Sequence, residues 1–275
     1  MSTFSQLLVT ARRRSTRLAA GGLLAVPLLM QSCQPACVPA APAPVRASEE
    51  RAFGNSVQGR PLIASRLGDP TGVPVLVIGS IHGEEQAGIE IAEYIRDTAV
   101  IPAGYDVWVI RTINPDGNIA NIHQNANGVD LNRNFGPNWE ANDCAVTPRY
   151  CAGPAPLSEP ESQAIAAFIK EIKPKMTVWY HGPLNVVDAA TLNGVANPNV
   201  LTAYGAASGY GVATLNCNPT GRCVGNATQY LNSEIPGSSS FVVELSSNTA
   251  GAMTPAGVTN HVNGFFAAAA AAATP

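Results

Sequence analysis

The stretch Val75-Leu76-Val77-Ile78-Gly79-Ser80-Ile81-His82-Gly83-Glu84-Glu85 constrains this chain more than any other. Its apolar opening, rich in β-branched residues, reads as a buried strand. Gly79 and Ser80 end that strand, and the chain then delivers His82 and Glu85 just past its carboxyl end. In open α/β sheets, ligands bind at that edge. An imidazole and a carboxylate so close together on a tight turn can address one cation, and zinc accepts such N and O donors at about 2.0–2.2 Å. His-x-x-Glu also occurs by chance on solvated turns, so the weight of the pair depends on what the remaining strands bring to the same edge.

Of the 275 residues, the first 47 hold five arginines and no acid. Arg12, Arg13, Arg14 and Arg17 precede an apolar run, 18–30, too short for a typical membrane span, and the layout fits an export signal. The Arg-Arg pair lacks the hydrophobic residue a twin-arginine signal carries just after it. Cys33 offers a lipid-anchor site, although Met30 and Gln31 suit a lipoprotein box poorly. The Pro/Ala-rich segment 34–47 reads as a tether. Residues 1–47 are therefore assigned to leader and tether, and 48–275 to one folded domain, long enough for a sizeable core. That domain holds 11 basic against 19 acidic side chains, which leaves no basic stripe for a nucleic-acid backbone. Contact with a membrane is expected only through the leader or an anchor at Cys33. The expected location is periplasmic, cell-envelope or extracellular. Cys144/Cys151 and Cys217/Cys223 sit as close pairs in loops, which in an exported chain reads as two disulfide staples.

Strands are expected at 60–67, 75–78, 106–113, 176–180 and 241–245, with helices at 83–96, 158–170, 197–208, 226–233 and 254–273. Asn114-Pro115-Asp116-Gly117 reads as a turn. Ser158-Glu159-Pro160-Glu161 reads as a capping box. Residues 118–150 lack periodicity, and so long an irregular stretch inside a compact domain is usually functional. Strands alternating with helices predict an α/β domain, a twisted sheet with helices on both faces.

Four strand ends then present polar groups: His82/Glu85, the 114–117 turn, His181 and Glu244. A hydrolytic zinc site needs three protein ligands and an open fourth position, and His181 supplies the third ligand. Glu244 interrupts an apolar strand, where an unpartnered carboxylate is costly. As a general base beside a metal-activated water it has a purpose. Asn132 and Arg133 stand side by side in the irregular stretch, and the planar fork of an arginine matches a carboxylate. His261, in the last helix, is expected to be structural.

His82-Gly83-Glu84-Glu85, Asn114-Pro115-Asp116-Gly117, Asp130-Leu131-Asn132-Arg133-Asn134-Phe135, His181 and Val243-Glu244-Leu245 resemble, in order and spacing, the zinc metallocarboxypeptidases. The chain looks most like their bacterial murein peptide amidase branch, over roughly residues 50–270. The resemblance implies a mixed central sheet of the zinc carboxypeptidase type and one Zn2+ per chain held by His82, Glu85 and His181. It implies Glu244 as the base for attack of water on an amide, and Asn132 and Arg133 as holders of a substrate's terminal carboxylate. The implied substrate is a peptide with a free carboxylate, such as a cell-wall stem peptide. Alternatives are a zinc amidohydrolase for small N-acyl amino acids, or a catalytically weak relative that binds peptide or wall fragments.

Two departures stand out. Where relatives carry an arginine that steadies the oxyanion, alignment on Asn125 and Gly128 places His123. Loss of such a donor can cost about 2.7–4 kcal/mol in barrier. His123 is expected to face the site as a weaker donor, with Arg111 and Arg222 as the cations that could replace it. The mobile tyrosine of digestive members also has no counterpart near 219–222, and Tyr230 falls nearer a packing position. Arg222 is expected to meet a second carboxylate on the substrate.

Overall fold

The computed structural model describes residues 47–136, 138–189, 197–215 and 224–274. The expectations for the leader, Cys33, the Cys217/Cys223 pair and Arg222 lie outside the described residues. Eight strands form one sheet: β1 (Glu49–Asn55), β2 (Pro61–Gly68), β3 (Val73–Ile78), β4 (Tyr105–Ile110), β5 (Met176–His181), β6 (Val186–Asp188), β7 (Gly211–Ala213) and β8 (Ser239–Glu244). Their order across the sheet is β1-β2-β4-β3-β5-β8-β6-β7. The central run β4-β3-β5-β8 is parallel, while β1/β2, β2/β4 and β8/β6 pair antiparallel.

Alternation along the strands divides the apolar side chains between two cores. Val75, Val77, Val107, Val109, Val178 and Val243 face one side, covered by α1 (Ala87–Asp97), α4 (Pro198–Ser208) and α6 (Pro255–Ala273). Leu76, Ile78, Trp108, Ile110, Trp179 and Val242 face the other, covered by α3 (Pro160–Ile172) and α5 (Ala227–Glu234). Both faces being apolar explains why these strands read as continuous hydrophobic runs. No helix of the described residues is long and apolar enough to cross a membrane.

Several local expectations are corrected. The first helix begins at Ala87, because residues 82–86 turn at the sheet edge. The 114–117 segment starts a helix, α2 (Pro115–Ala120), with Pro115 in its first turn and Asn114 as cap, accepting from Gly117 N at 3.0 Å. Its Asp116 clamps the β1–β2 hairpin through Ser56 Oγ at 2.8 Å and Gln58 N at 2.9 Å. The 158–161 capping box is absent: the cap residue is Glu159, which makes no capping bond with its side chain. Glu159 instead accepts from Asn125 and Asn127 at 2.9 and 2.8 Å. The pairing of Cys144 with Cys151 is present.

Candidate metal centre

The parallel strands β3, β5 and β8 end at the same edge, so the residues that close or succeed each of them are brought together. His181 is the last residue of β5 and sits in register with Glu244, the last residue of β8. His82 and Glu85 lie on the turn after β3. That turn must pass close to α2, and glycine at position 83 permits it: a Cβ there would sit 2.0 Å from Gly117 C. Gly83 N also donates to His123 O at 3.2 Å, which ties the irregular stretch to the same turn.

His82 Nδ1 lies 2.9 Å and His181 Nδ1 3.0 Å from the same oxygen, Glu85 Oε2. All three residues are buried. His82 Nε2 is 3.1 Å from Asp130 Oδ1, so a buried carboxylate orients this imidazole from behind. His123 stacks on His82 with ring centroids 3.7 Å apart. Its Nε2 is 3.3 Å from Asp130 Oδ2 and its Nδ1 3.3 Å from Glu84 Oε1. One donor atom from each of His82, Glu85 and His123 also falls within 4.8 Å of the others, so these three form a group that could hold a metal ion.

The electrostatics favour a cation at this point. Burial opposes a charge on His82, but the carboxylates of Glu85 and Asp130 outweigh it and raise its pKa to about 10. Burial likewise opposes ionisation of Glu85, and the two imidazoles still hold it well below the usual carboxylate range. Asp130 is also held low against its burial, chiefly by His82 and Arg133. His123 is pushed the other way: burial and the charge of His82 lower its pKa, so it is neutral.

His82, Glu85, His123 and His181 line one cavity of about 270 Å3, which also takes in Asn132, Arg133 and Glu244. The side-chain carboxylate of Glu244 accepts no hydrogen bond from the described residues, and burial raises its pKa. Asn132 Oδ1 accepts from Ala227 N at 3.0 Å. Arg133 is buried, with Nη1 donating to Asn132 O at 2.7 Å and its guanidinium 5.5 Å from the Tyr150 ring centroid. Arg111 is not brought here: it lies exposed, paired with Glu93 at 2.7 Å. Tyr230 is buried against Phe135, as its packing position implied. His261 is buried in α6 beside Tyr204, away from the cavity. The sequence reading missed three contributors. Asp130 was legible inside the 130–135 motif, whereas Arg149 and Asp188, which also line the cavity, carry no local signal.

The zinc carboxypeptidase family model matches residues 46–187. Murein peptide amidase A of Escherichia coli K12 is 32% identical over 146 residues, covering 50% of this chain and 60% of the relative. Carboxypeptidase SOL1 of Arabidopsis thaliana is 30% identical over 146 residues, covering 47% and 28%. The match thus spans about 60% of the length of the murein peptide amidases. Among solved structures, carboxypeptidase A of Helicoverpa armigera superposes with a TM-score of 0.68 at 20% identity, over 82% of this chain and 69% of that one. The murein-tripeptide amidase of Escherichia coli O157 gives a TM-score of 0.59 at 23% identity, over 82% and 92%. With a family model covering more than half its length and the same fold in these structures, the chain belongs to the zinc carboxypeptidase family.

Proposed function

We propose that this protein hydrolyses an amide bond next to a free carboxylate, using one zinc ion, and that its substrate is a peptidoglycan stem peptide. His82 Nδ1, Glu85 and His181 Nδ1 would hold the ion. The observation that carries this reading is the convergence of both Nδ1 atoms on one Glu85 oxygen, at 2.9 and 3.0 Å. Two imidazoles and a carboxylate are a donor set that zinc accepts in hydrolytic sites. His123 is the less suitable third ligand, because both of its nitrogens are turned to other carboxylates, Glu84 and Asp130.

Bound there, zinc supplies a Lewis acid that lowers the pKa of water to about 7 and polarises a carbonyl. The chain's own groups do the rest. Asp130, facing His82 Nε2, keeps the proton on that nitrogen and leaves Nδ1 as a lone-pair donor. Glu244 faces the same cavity with its carboxylate uncommitted, and burial raises its pKa toward the working range of a general base. It takes the proton of the attacking water and returns it to the leaving amine. Arg133 and Asn132 orient the substrate through its terminal carboxylate. His123 reaches a developing oxyanion only by giving up Glu84 or Asp130, and His123→Ala and His123→Arg would each alter turnover if it serves there.

The cell-wall assignment draws on the murein peptide amidases among the relatives. The Cys144–Cys151 disulfide suits an exported protein in the periplasm, envelope or medium. The test is elemental analysis of the purified protein, followed by cleavage of L-Ala-γ-D-Glu-diaminopimelate with and without chelator. One zinc per chain and chelator-sensitive cleavage are expected. Glu244→Gln should retain the zinc while kcat falls about 10²–10⁴-fold. Zinc without turnover on any peptide would overturn the proposal. It would favour a binding protein, a reading that His123, in place of the usual arginine, supports.

A further inference from the structure

On the side of the sheet covered by α4 and α6, a cavity of about 230 Å3 shares no lining residue with the candidate metal centre. The loop between β5 and β6 runs between the two, with Leu184 lining one and Asn185 the other. His261 lines the second cavity and is only 2% exposed. Its Nδ1 is 2.8 Å from Tyr204 Oη, which is in turn 3.1 Å from Tyr180 Oη. Tyr210 packs edge-on against the ring, with centroids 4.5 Å apart. These contacts fix the imidazole and use one of its nitrogens. Nε2 has no partner among the described residues, and a buried ring nitrogen left so is costly unless something in the cavity meets it.

The lining decides what that something is. No acidic or basic side chain borders the cavity, so nothing there balances an ion. Burial lowers the pKa of His261 to about 4, which leaves the ring neutral at pH 7. The start of α6 lies at the cavity, but Gly257 N in its first turn already donates to Thr254 Oγ1 at 3.1 Å, which leaves less for an anion. The cavity offers neutral hydrogen bonding instead. Nε2 stands at the floor, and the side chains of Asn185, Ser246 and Asn260 stand at an exposed rim with no hydrogen bond to a described residue. A hydroxyl both donates and accepts, so it pairs with Nε2 whichever ring nitrogen carries the proton.

We propose that this cavity binds a neutral ring bearing several hydroxyls, a single sugar unit, seated on His261 Nε2 and held at the rim by Asn185, Ser246 and Asn260. Tyr210 and Met253 give its C–H face an apolar wall. The volume is below that of pockets for drug-sized ligands and suits one unit. A rigid ring also loses little freedom on binding. The site is independent of the hydrolysis proposed above and does not need the zinc.

The test is nuclear magnetic resonance of the 15N-labelled full-length protein, following the ring nitrogens of His261 during titration with methyl β-glucoside and with N-acetylglucosamine. At least one of the two should shift His261 Nε2 saturably, with a dissociation constant of about 1–10 mM, as a few uncharged hydrogen bonds provide. Inorganic phosphate, the ligand of a bare helix N-terminus, should leave that nitrogen unmoved. His261→Gln should abolish the saturable binding. Asn260→Ala, at an exposed position that leaves the core intact, should weaken it about 2- to 10-fold while His261 still reports. No saturable shift of His261 with either sugar up to about 100 mM, or a response to phosphate instead, would overturn the inference. So would sugar binding that is undiminished in Asn260→Ala and in a folded His261→Gln protein.

Discussion

Replacing Asp130 with asparagine isolates the contribution of a residue that touches the candidate metal site only through His82. Asp130 is fully buried. Its Oδ1 faces His82 Nε2 at 3.1 Å and accepts from Asn132 N at 2.8 Å, while Oδ2 faces His123 Nε2 at 3.3 Å. Asparagine keeps the shape and one acceptor oxygen, which can go on serving Asn132 and His82. Its amide nitrogen then turns to His123, which as a neutral ring can present a lone pair there. What disappears is the negative charge behind the His82 ring. Loss of such an outer partner typically weakens metal binding 10- to 100-fold, or about 1.4–2.7 kcal/mol. Chelator-competition titration of zinc at neutral pH measures it, with circular dichroism confirming that the fold is kept. A dissociation constant within about twofold of wild type would refute the reasoning, since Asp130 would then not act through His82. Asp130→Ala should be worse, losing about 3–5 kcal/mol of stability, because it also leaves two buried imidazoles without their shared acceptor.

His261 gives a pH-dependent prediction remote from the metal site. It is 2% exposed, hydrogen-bonded to Tyr204 Oη at 2.8 Å, and burial lowers its pKa to about 4. The folded pKa lies below the unfolded value of about 6.5, so on acidification the unfolded chain takes up the proton first. Stability should therefore fall as pH drops from about 6.5 to 4, by about 2 kcal/mol between pH 7 and 4.5 from this group alone. Urea denaturation at those two pH values should show that part of the loss missing in His261→Gln, and equal losses in both proteins would contradict it. Gly83→Ala places a methyl group 2.0 Å from Gly117 C, closer than packed backbone tolerates. The turn carrying His82 and Glu85 must move, so zinc binding should fall at least 100-fold or the protein should unfold. Wild-type zinc affinity in a folded Gly83→Ala protein would mean that this close approach does not position the ligands.

The parts of the site that were legible in the sequence are those that end strands. Val75–Ile78 and 176–180 are apolar runs with no second reading, and a histidine or glutamate closing such a run has to sit at the sheet edge. Glu244 was legible for the same reason, as a charge at the end of Phe241-Val242-Val243. What escaped were elements too short to show a period. Strands β6 and β7 have three residues each, and pairing alone, against β8 and each other, makes them strands. Asn114-Pro115-Asp116-Gly117 has the composition of a turn but also carries the marks of a helix start, an Asn cap followed by Pro, and tertiary contacts decided between them. Asp116 binds a hairpin some sixty positions earlier, a partner no local pattern names. Arg149 escaped in the same way: its partner Glu84 is sixty-five positions distant, and only the folded loop brings them together.

The chemistry proposed for this edge of the sheet depends on which three side chains take the ion. Anomalous diffraction from zinc-loaded crystals, recorded on either side of the zinc absorption edge, answers this directly. The prediction is one peak per chain within about 2.0–2.2 Å of His82 Nδ1, a Glu85 oxygen and His181 Nδ1, with Glu244 facing it from β8. A peak bonded to His123 with His181 unengaged, or no peak between His82 and Glu85, would contradict it.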